Sequence, residues 1–334
     1  MNGKALASRV KQAAARSGFD ACAIAAAGPV DPAERFVRWI RRGFHAGMDW
    51  LAKSLDIRLD IRRKLPGARS VVVVARNYHA PRPRPACGSL RVARYAWGRD
   101  YHRVLKGPLD KVRACLDSLE PGAKSYASID SGPVLEKVWA ARAGLGWIGK
   151  NSLVVRPGLG SWFFLGVAAT TVELPPDPPM PDQCGACTAC VDACPTRAIV
   201  EPGVVDARRC ISYQTVENRG PIAEDMAARL GDWVFGCDVC QEVCPWNSAT
   251  PDTTEQAFHP IPGHANPSPE NLLDLTEQAF HEEFAGTVLM RPGLVGMKRN
   301  IEAILHNRDA HPRCGPVAAD KRVRPSEKEN LPCD

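Results

Sequence analysis

The sequence predicts a mixed fold of the α+β or α/β class in three parts: an N-terminal α/β unit, a cysteine-rich module and a short helical end. Three observations predict it. Helical periods alternate with short apolar runs as far as residue 174. The stiff segment Pro175-Pro176-Asp177-Pro178-Pro179 then separates that unit from a dense set of cysteines. Beyond Asn247 a polar, proline-bearing stretch leads back to helical periods. At 334 residues the chain is long enough for two or more cores.

In order, Ala5, Leu6, Val10 and Ala14 recur at helical spacing, and Gly18 closes that helix. Ala21–Ala26 is a short apolar run suited to a buried strand. Pro32 opens a second helix with Phe36, Val37 and Ile40 on its apolar stripe. Val71–Ala75 is continuous and β-branched, which predicts a strand covered on both faces. His79–Pro85 is a proline-rich loop. A helix over Asp100–Leu119 carries Val104, Leu105, Leu109, Val112 and Leu116, with Gly107-Pro108 kinking or restarting it. Tyr126–Ile129 reads as a strand ending at Asp130, and Pro133 as the first residue of the next helix. Trp162–Ala169 is a further strand. Helices are expected near Leu272–Phe284 and Gly293–Asn307, and the tail from His311 is too poor in apolar residues to fold.

The chain has thirteen cysteines. One run is Cys184-x2-Cys187-x2-Cys190-x3-Cys194-Pro195; a second is Cys237-x2-Cys240-x3-Cys244-Pro245, with Cys210 upstream as the nearby candidate for a fourth ligand. Tight x2 steps let successive thiolates wrap one iron–sulfur cubane, and the x3-Cys-Pro step, as in bacterial ferredoxins, swings the last sulfur to the other cluster. The expected sets are therefore Cys184, Cys187, Cys190 and Cys244 on one cubane, and Cys194, Cys210, Cys237 and Cys240 on the other. Two zinc knuckles are the competing assignment, since CxxC pairs also hold zinc. Cys22, Cys87, Cys115, Cys314 and Cys333 read as incidental thiols.

No apolar run approaches the roughly 20 residues that cross a bilayer, and the N-terminus shows neither a signal-peptide core nor a twin-arginine leader. A cytoplasmic protein is expected, where clustered thiols bind metal. The net charge of +6 hides a division. Lys53–Arg113 holds sixteen Lys/Arg against four Asp/Glu, a net of +12, whereas Glu173–Thr250 holds five against twelve, a net of −7. The basic segment favours a phosphate-rich partner such as nucleic acid.

No Gly-x-Gly-x-x-Gly follows a predicted strand, so a dinucleotide fold is not indicated. Gly144-Leu145-Gly146-Trp147-Ile148-Gly149-Lys150-Asn151 serves either close backbone approach to a ligand or a helix C-terminal turn. Asp130, at a strand end, is either a helix cap, together with Ser131, or a carboxyl whose pKa burial raises so that it donates a proton. Arg94–His102 interleaves aromatics with cations, either to stack on a flat ligand or as core aromatics beside solvated arginines. Asp100-x-His102 with Gly107 approaches a cobalt-ligating histidine motif, but the glycine interval is wrong and coordination by His102 is rejected.

Taken together, several segments resemble epoxyqueuosine reductases, cobalamin-dependent iron–sulfur enzymes of tRNA modification. They are Leu65–Val71, Arg94–His102, Asp130-Ser131-Gly132-Pro133-Val134-Leu135-Glu136-Lys137, Ala143–Asn151, the cysteine runs and Phe235–Asn247, spanning about residues 20 to 250. The resemblance implies removal of the epoxide oxygen of epoxyqueuosine at the tRNA wobble position, with reduced cobalamin driving the chemistry and two 4Fe–4S clusters feeding it electrons. It implies that Asp130 is the proton donor and that Arg58, Tyr95, Asp130, Asn151 and Ser161 touch the cobalamin. It also implies an oxidoreductase built from a nitroreductase-like cobalamin-binding domain (1–174), a ferredoxin-like domain (175–250), a truncated HEAT-like region (251–310) and a disordered tail (311–334). The basic region and Ser212–Arg219 are the expected anticodon-arm contacts. A flavodoxin- or ferredoxin-like donor, no membrane and a monomeric state complete the expectation. Family members usually end in a longer helical array than the single pair that follows Arg299-Asn300-Ile301 here. A corrinoid reductive dehalogenase and a plain electron-transfer ferredoxin are the competing functions; the first usually carries a leader peptide, and the second needs no corrinoid.

Overall fold

The computed structural model describes residues 2–30 and 33–310. Pro32, Cys314, Cys333 and the predicted disordered tail lie outside the described residues. Helix α1 (Gly3–Arg16) starts where the Asn2 side chain accepts from the Ala5 N–H, and strand β1 (Ala21–Ala26) follows. Helix α2 (Ala33–Arg41) leans on the cysteine module, its Trp39 Nε1 donating to the Val205 carbonyl at 2.7 Å. Then come β2 (Ser70–Asn77), α3 (Tyr101–Asp117), β3 (Ser125–Ser128), α4 (Glu136–Arg142) and β4 (Phe163–Thr170).

The main sheet runs β1-β2-β4-β3. Every neighbouring pair is antiparallel, so the α+β alternative holds for this sheet. Because side chains alternate along a strand, Val72 and Val74 of β2 pack with Leu6, Val10, Leu109 and Val112 of α1 and α3. Val71 and Val73 pack on the other face with Trp139 and Ala140 of α4. Both faces are covered, as the unbroken run of valines predicted.

Three local expectations differ from the structure. Pro108 does not restart the helix, since one helix runs through it from the Asp100 cap. The helix expected to open at Pro133 starts at Glu136, because Asp130 adopts φ +54° and turns the chain away first. Leu272–Phe284 divides into Pro269–Leu273 and a helix α5 (Glu277–Phe284), whose start is set by Thr276 accepting from the Ala279 N–H.

A third core joins distant segments. Strand β5 (Trp233–Phe235) pairs in parallel with Arg91–Val92, and both pack with Phe280, Phe284, Met297, Ile301 and Ile304 of α5 and the last helix, α6 (Gly293–Ala310). Within α6, the buried Asn300 amide donates to Thr215 O (2.8 Å) and Val234 O (2.9 Å). Arg299 donates to Asn218 O, Gly220 O and Gln214 O. The pair that resembles the opening of a repeat array thus clamps the 214–220 stretch.

Candidate redox centres and active site

The cysteines of the two runs lie near one another. Burial first, then the neighbouring Cys244, Cys184 and Cys187, push the Cys190 thiol up. Cys240 is raised by burial and then by Cys210, Asp238, Cys190 and Cys194, and Cys237 by burial, Cys210 and Cys240. Cys190 of the first run thus lies near Cys244 of the second, and Cys240 of the second lies near Cys210, Cys190 and Cys194. Among the described residues no three Cys, His, Asp or Glu side chains converge on one point as a single metal ion requires. Cys187 is exposed, while Cys210 and Cys240 are partly accessible yet ringed by protein. One group is thus near the surface and the other deep.

The glycine-dense loop joins the α/β unit to this module. Gly144, at φ +69°, ends α4, with Leu145 N returning to Ala140 O at 2.9 Å, so the helix C-terminal turn is observed. A Cβ on Gly144 would sit 2.0 Å from Pro178 O. Beyond it, Trp147 Nε1 donates to Cys184 Sγ (3.4 Å), Lys150 Nζ to Gly185 O and Cys187 O (2.8 Å each), and Asn151 Nδ2 to Cys240 O (3.3 Å).

Asp130 caps no helix. It sits at the centre of a three-residue turn in which Ser131 N donates to Ile129 O at 2.5 Å. Its Oδ2 accepts from the Tyr101 hydroxyl and lies 3.7 Å from His102 Nε2. His102 Nδ1 in turn lies 2.7 Å from Asp100 Oδ1. Tyr101 is held by stacking on Phe164 of β4, 4.2 Å between ring centroids. The Asp130 side chain is 64% exposed although protein surrounds it, which places it on the wall of a recess. Its titration differs from expectation. Burial acts to raise the carboxyl, but hydrogen bonds from His102 and Tyr101, with the charges of His102 and Lys137, outweigh it and hold the group below the usual carboxylate range. His102 moves the other way, to about 9, through its bonds to Asp100 and Asp130. A carboxylate thus faces each ring nitrogen of His102, Asp100 at 2.7 Å from Nδ1 and Asp130 at 3.7 Å from Nε2.

Around the recess, burial and then the Asp130 charge push Glu136 up to about 7. Lys137 donates to Ser152 O at 2.9 Å; burial lowers it, and the Asp130, Glu136, Cys210 and Cys240 charges oppose that. This lysine therefore lies between Asp130 and the deep cysteine group. Arg58 is buried, facing Glu136 and Asp130, with its Nε unpartnered. Tyr95 packs on Phe235 within charge reach of Asp130. Ser161 lies in a buried network, accepting from Gln241 Nε2 (3.1 Å) and Asn247 Nδ2 (3.0 Å). Arg58, Tyr95, Asp130 and the Asn151 loop thus approach one recess, and Ser161 braces β4 against the module. Tyr101 and His102 fall in the Arg94–His102 stretch, where His102 was weighed only as a cobalt ligand, and Glu136 and Lys137 in the DSGPVLEK segment; none of the four was assigned a role beside Asp130 from sequence.

A protein named epoxyqueuosine reductase from Synechocystis sp. is 45% identical over 280 residues, covering 82% of this chain and 96% of its own length. The chain belongs to the epoxyqueuosine reductase family. A second epoxyqueuosine reductase, from Gloeobacter violaceus, is 40% identical over 306 residues, covering 90% and 95% of the two chains. The family model described as epoxyqueuosine reductase QueG, DUF1730, matches residues 58–131, and that of a 4Fe-4S double cluster binding domain matches residues 183–247. A crystal structure of epoxyqueuosine reductase with an epoxyqueuosine-modified tRNA stem loop superposes with a TM-score of 0.86 at 30% identity, covering 92% of this chain and 82% of its own. The epoxyqueuosine reductase of Bacillus subtilis, captured with its catalytic aspartate loop swung out of the active site, gives 0.86 at 29% identity, with 93% and 84% coverage. The chain spans 95–96% of the length of the Synechocystis and Gloeobacter relatives.

Proposed function

We propose that this epoxyqueuosine reductase family member reduces epoxyqueuosine to queuosine at the tRNA wobble position, the last step of queuosine biosynthesis, with two 4Fe–4S clusters and a cobalamin as cofactors. The observation that carries this reading is the double-cluster cysteine module held against the unit that bears Asp130, with Trp147 donating to Cys184 Sγ and Asn151 to Cys240 O. The recess suits a large polar cofactor: Arg58 Nε and Glu136 Oε1 are buried there without protein partners. Arg58, Tyr95, Asp130 and Asn151 would hold the cobalamin, with Ser161 contributing from behind. When bound, it supplies a strongly reducing cobalt centre. The chain's own residues orient the wobble nucleoside, exclude bulk water and bring a proton to the epoxide oxygen through Asp130.

The matching anticodon-arm surface is the rim formed by three segments. Tyr213 OH accepts from Gly47 N at 2.9 Å, Arg219 Nη2 donates to Arg291 O, and the Arg291 guanidinium lies 5.5 Å from the ring of Trp50, which is 42% exposed. Arg291, tied bidentately to Glu217 (3.0 and 2.9 Å), faces Asp130 and Tyr101. An exposed tryptophan under an arginine is a stacking platform for an unpaired base. Within this reading, residues 1–174 form the nitroreductase-like cobalamin domain, 175–250 the ferredoxin-like domain and 251–310 a short HEAT-like region, with 311–334 a tail. The protein works as a cytoplasmic monomer fed by a flavodoxin- or ferredoxin-like donor; no helix among the described residues is long and apolar enough to cross a membrane. The test is nucleoside analysis of epoxyqueuosine-containing tRNA after incubation with anaerobically reconstituted protein, cobalamin and a reductant. Queuosine should appear; unchanged epoxyqueuosine with both clusters loaded would overturn the proposal.

A further inference from the structure

Removing an epoxide oxygen as water breaks two C–O bonds, forms a C=C bond and consumes two electrons and two protons. The clusters account for the electrons. One carboxyl holds one proton at most, and Asp130 rests ionised. The structure places a second acid directly behind it: His102 Nε2 is 3.7 Å from Asp130 Oδ2, and His102 Nδ1 is 2.7 Å from Asp100 Oδ1. Asp100 also caps α3 by accepting from the His102 N–H at 2.9 Å, which fixes the backbone carrying the ring. Tyr101 binds the same Oδ2 and stacks on His102, with ring centroids 4.1 Å apart.

We propose that His102, oriented by Asp100, is the proton source that loads Asp130 in each reduction. This rests on the reading of Asp130 as the residue that protonates the epoxide oxygen. Each of the two protons passes from His102 Nε2 to Asp130 Oδ2 and on to the substrate oxygen. The ring, 36% exposed, recovers its proton from solvent between deliveries. The 3.7 Å gap closes by a small side-chain rotation, as catalytic hydrogen bonds often tighten only in the substrate complex. Asp100 and Asp130 face the ring, Lys137, Arg291, Arg58 and Glu136 face Asp130, and Arg103 faces Asp100.

Two measurements test it. In the protein without added cofactor, histidine C–H resonances followed by NMR, with His102 assigned from His102→Gln, should titrate near 9 for this ring. They should move back toward 6.5 in Asp100→Asn and in Asp130→Asn. In the holoenzyme, wild-type kcat should fall as pH rises through about 9. His102→Gln should lower kcat by about tenfold or more, abolish that alkaline limb and leave KM for tRNA unchanged. A His102 that titrates at its ordinary value, or a His102→Gln enzyme with wild-type kcat and the same alkaline limb, would overturn the relay while leaving the proposed reaction intact. Wild-type holoenzyme that fails to convert substrate would instead overturn the reaction, and the NMR titration would still decide the ion-pair geometry.

Discussion

Asp130 combines backbone strain with a carboxylate that its neighbours keep ionised. At φ +54° a non-glycine residue costs about 1–3 kcal/mol, which the surrounding structure must offset. Asp130→Ala should retain both clusters, read as iron content and visible absorbance, while tRNA turnover drops roughly 10²–10⁴-fold. The pairing also makes stability depend on pH. His102 has an ordinary value of 6.5 and a folded value of about 9. Its contribution is therefore complete below about pH 6.5 and disappears as pH rises through about 9. The melting temperature should fall across that window by more in wild type than in His102→Gln; equal slopes would show that the ion pair adds nothing. The motif around Asp130 pointed to the residue, but its charge state was not legible. Tyr101 lies 29 positions earlier in the chain, and only the packing of α3 beside β3 brings the two together.

Among the elements, the glycine loop after α4 and the turn after β3 decide how the halves meet. Gly144→Ala would press a Cβ to 2.0 Å from Pro178 O in a left-handed conformation. We expect a loss of about 1–3 kcal/mol in chemical denaturation, with Gly158→Ala, where nothing lies within 4 Å, as the comparison for φ strain alone. Cys210 stands apart from both runs in sequence but belongs with Cys194, Cys237 and Cys240 in space. Cys210→Ser should lower iron from about eight toward about four atoms per chain and leave the surface cluster in place. Strand and helix positions were largely legible from their apolar period. The onset of α4 was not, because a positive φ at Asp130 leaves no compositional mark.

Across the whole molecule, part of the charge division is internal. Glu242 pairs with Arg82 and Arg91 (2.9 Å to the latter), Glu173 with Arg69, Asp177 with Lys11 (2.5 Å) and Glu201 with Arg42 (2.6 Å). Where such pairs are exposed they contribute only about 0–1 kcal/mol each. The basic surplus of Lys53–Arg113 is thus smaller than its count suggests as a surface for RNA. Binding of tRNA should still weaken steeply with salt, and Arg291→Gln should reduce the slope of log K against log salt by about one. An unchanged slope would remove Arg291 from the interface.

The spacing of the cysteines was enough to mark a double-cluster module, and the run of valines was enough to bury β2 on both faces, because ligand reach and side-chain alternation are local properties of the chain. The tertiary structure alone decided that the sheet is antiparallel, that one cysteine group is deep beside Lys137, and that His102 faces Asp130. Those relations join residues from separate segments, and the cores and ion pairs that bring them together exist only once the chain has closed on itself.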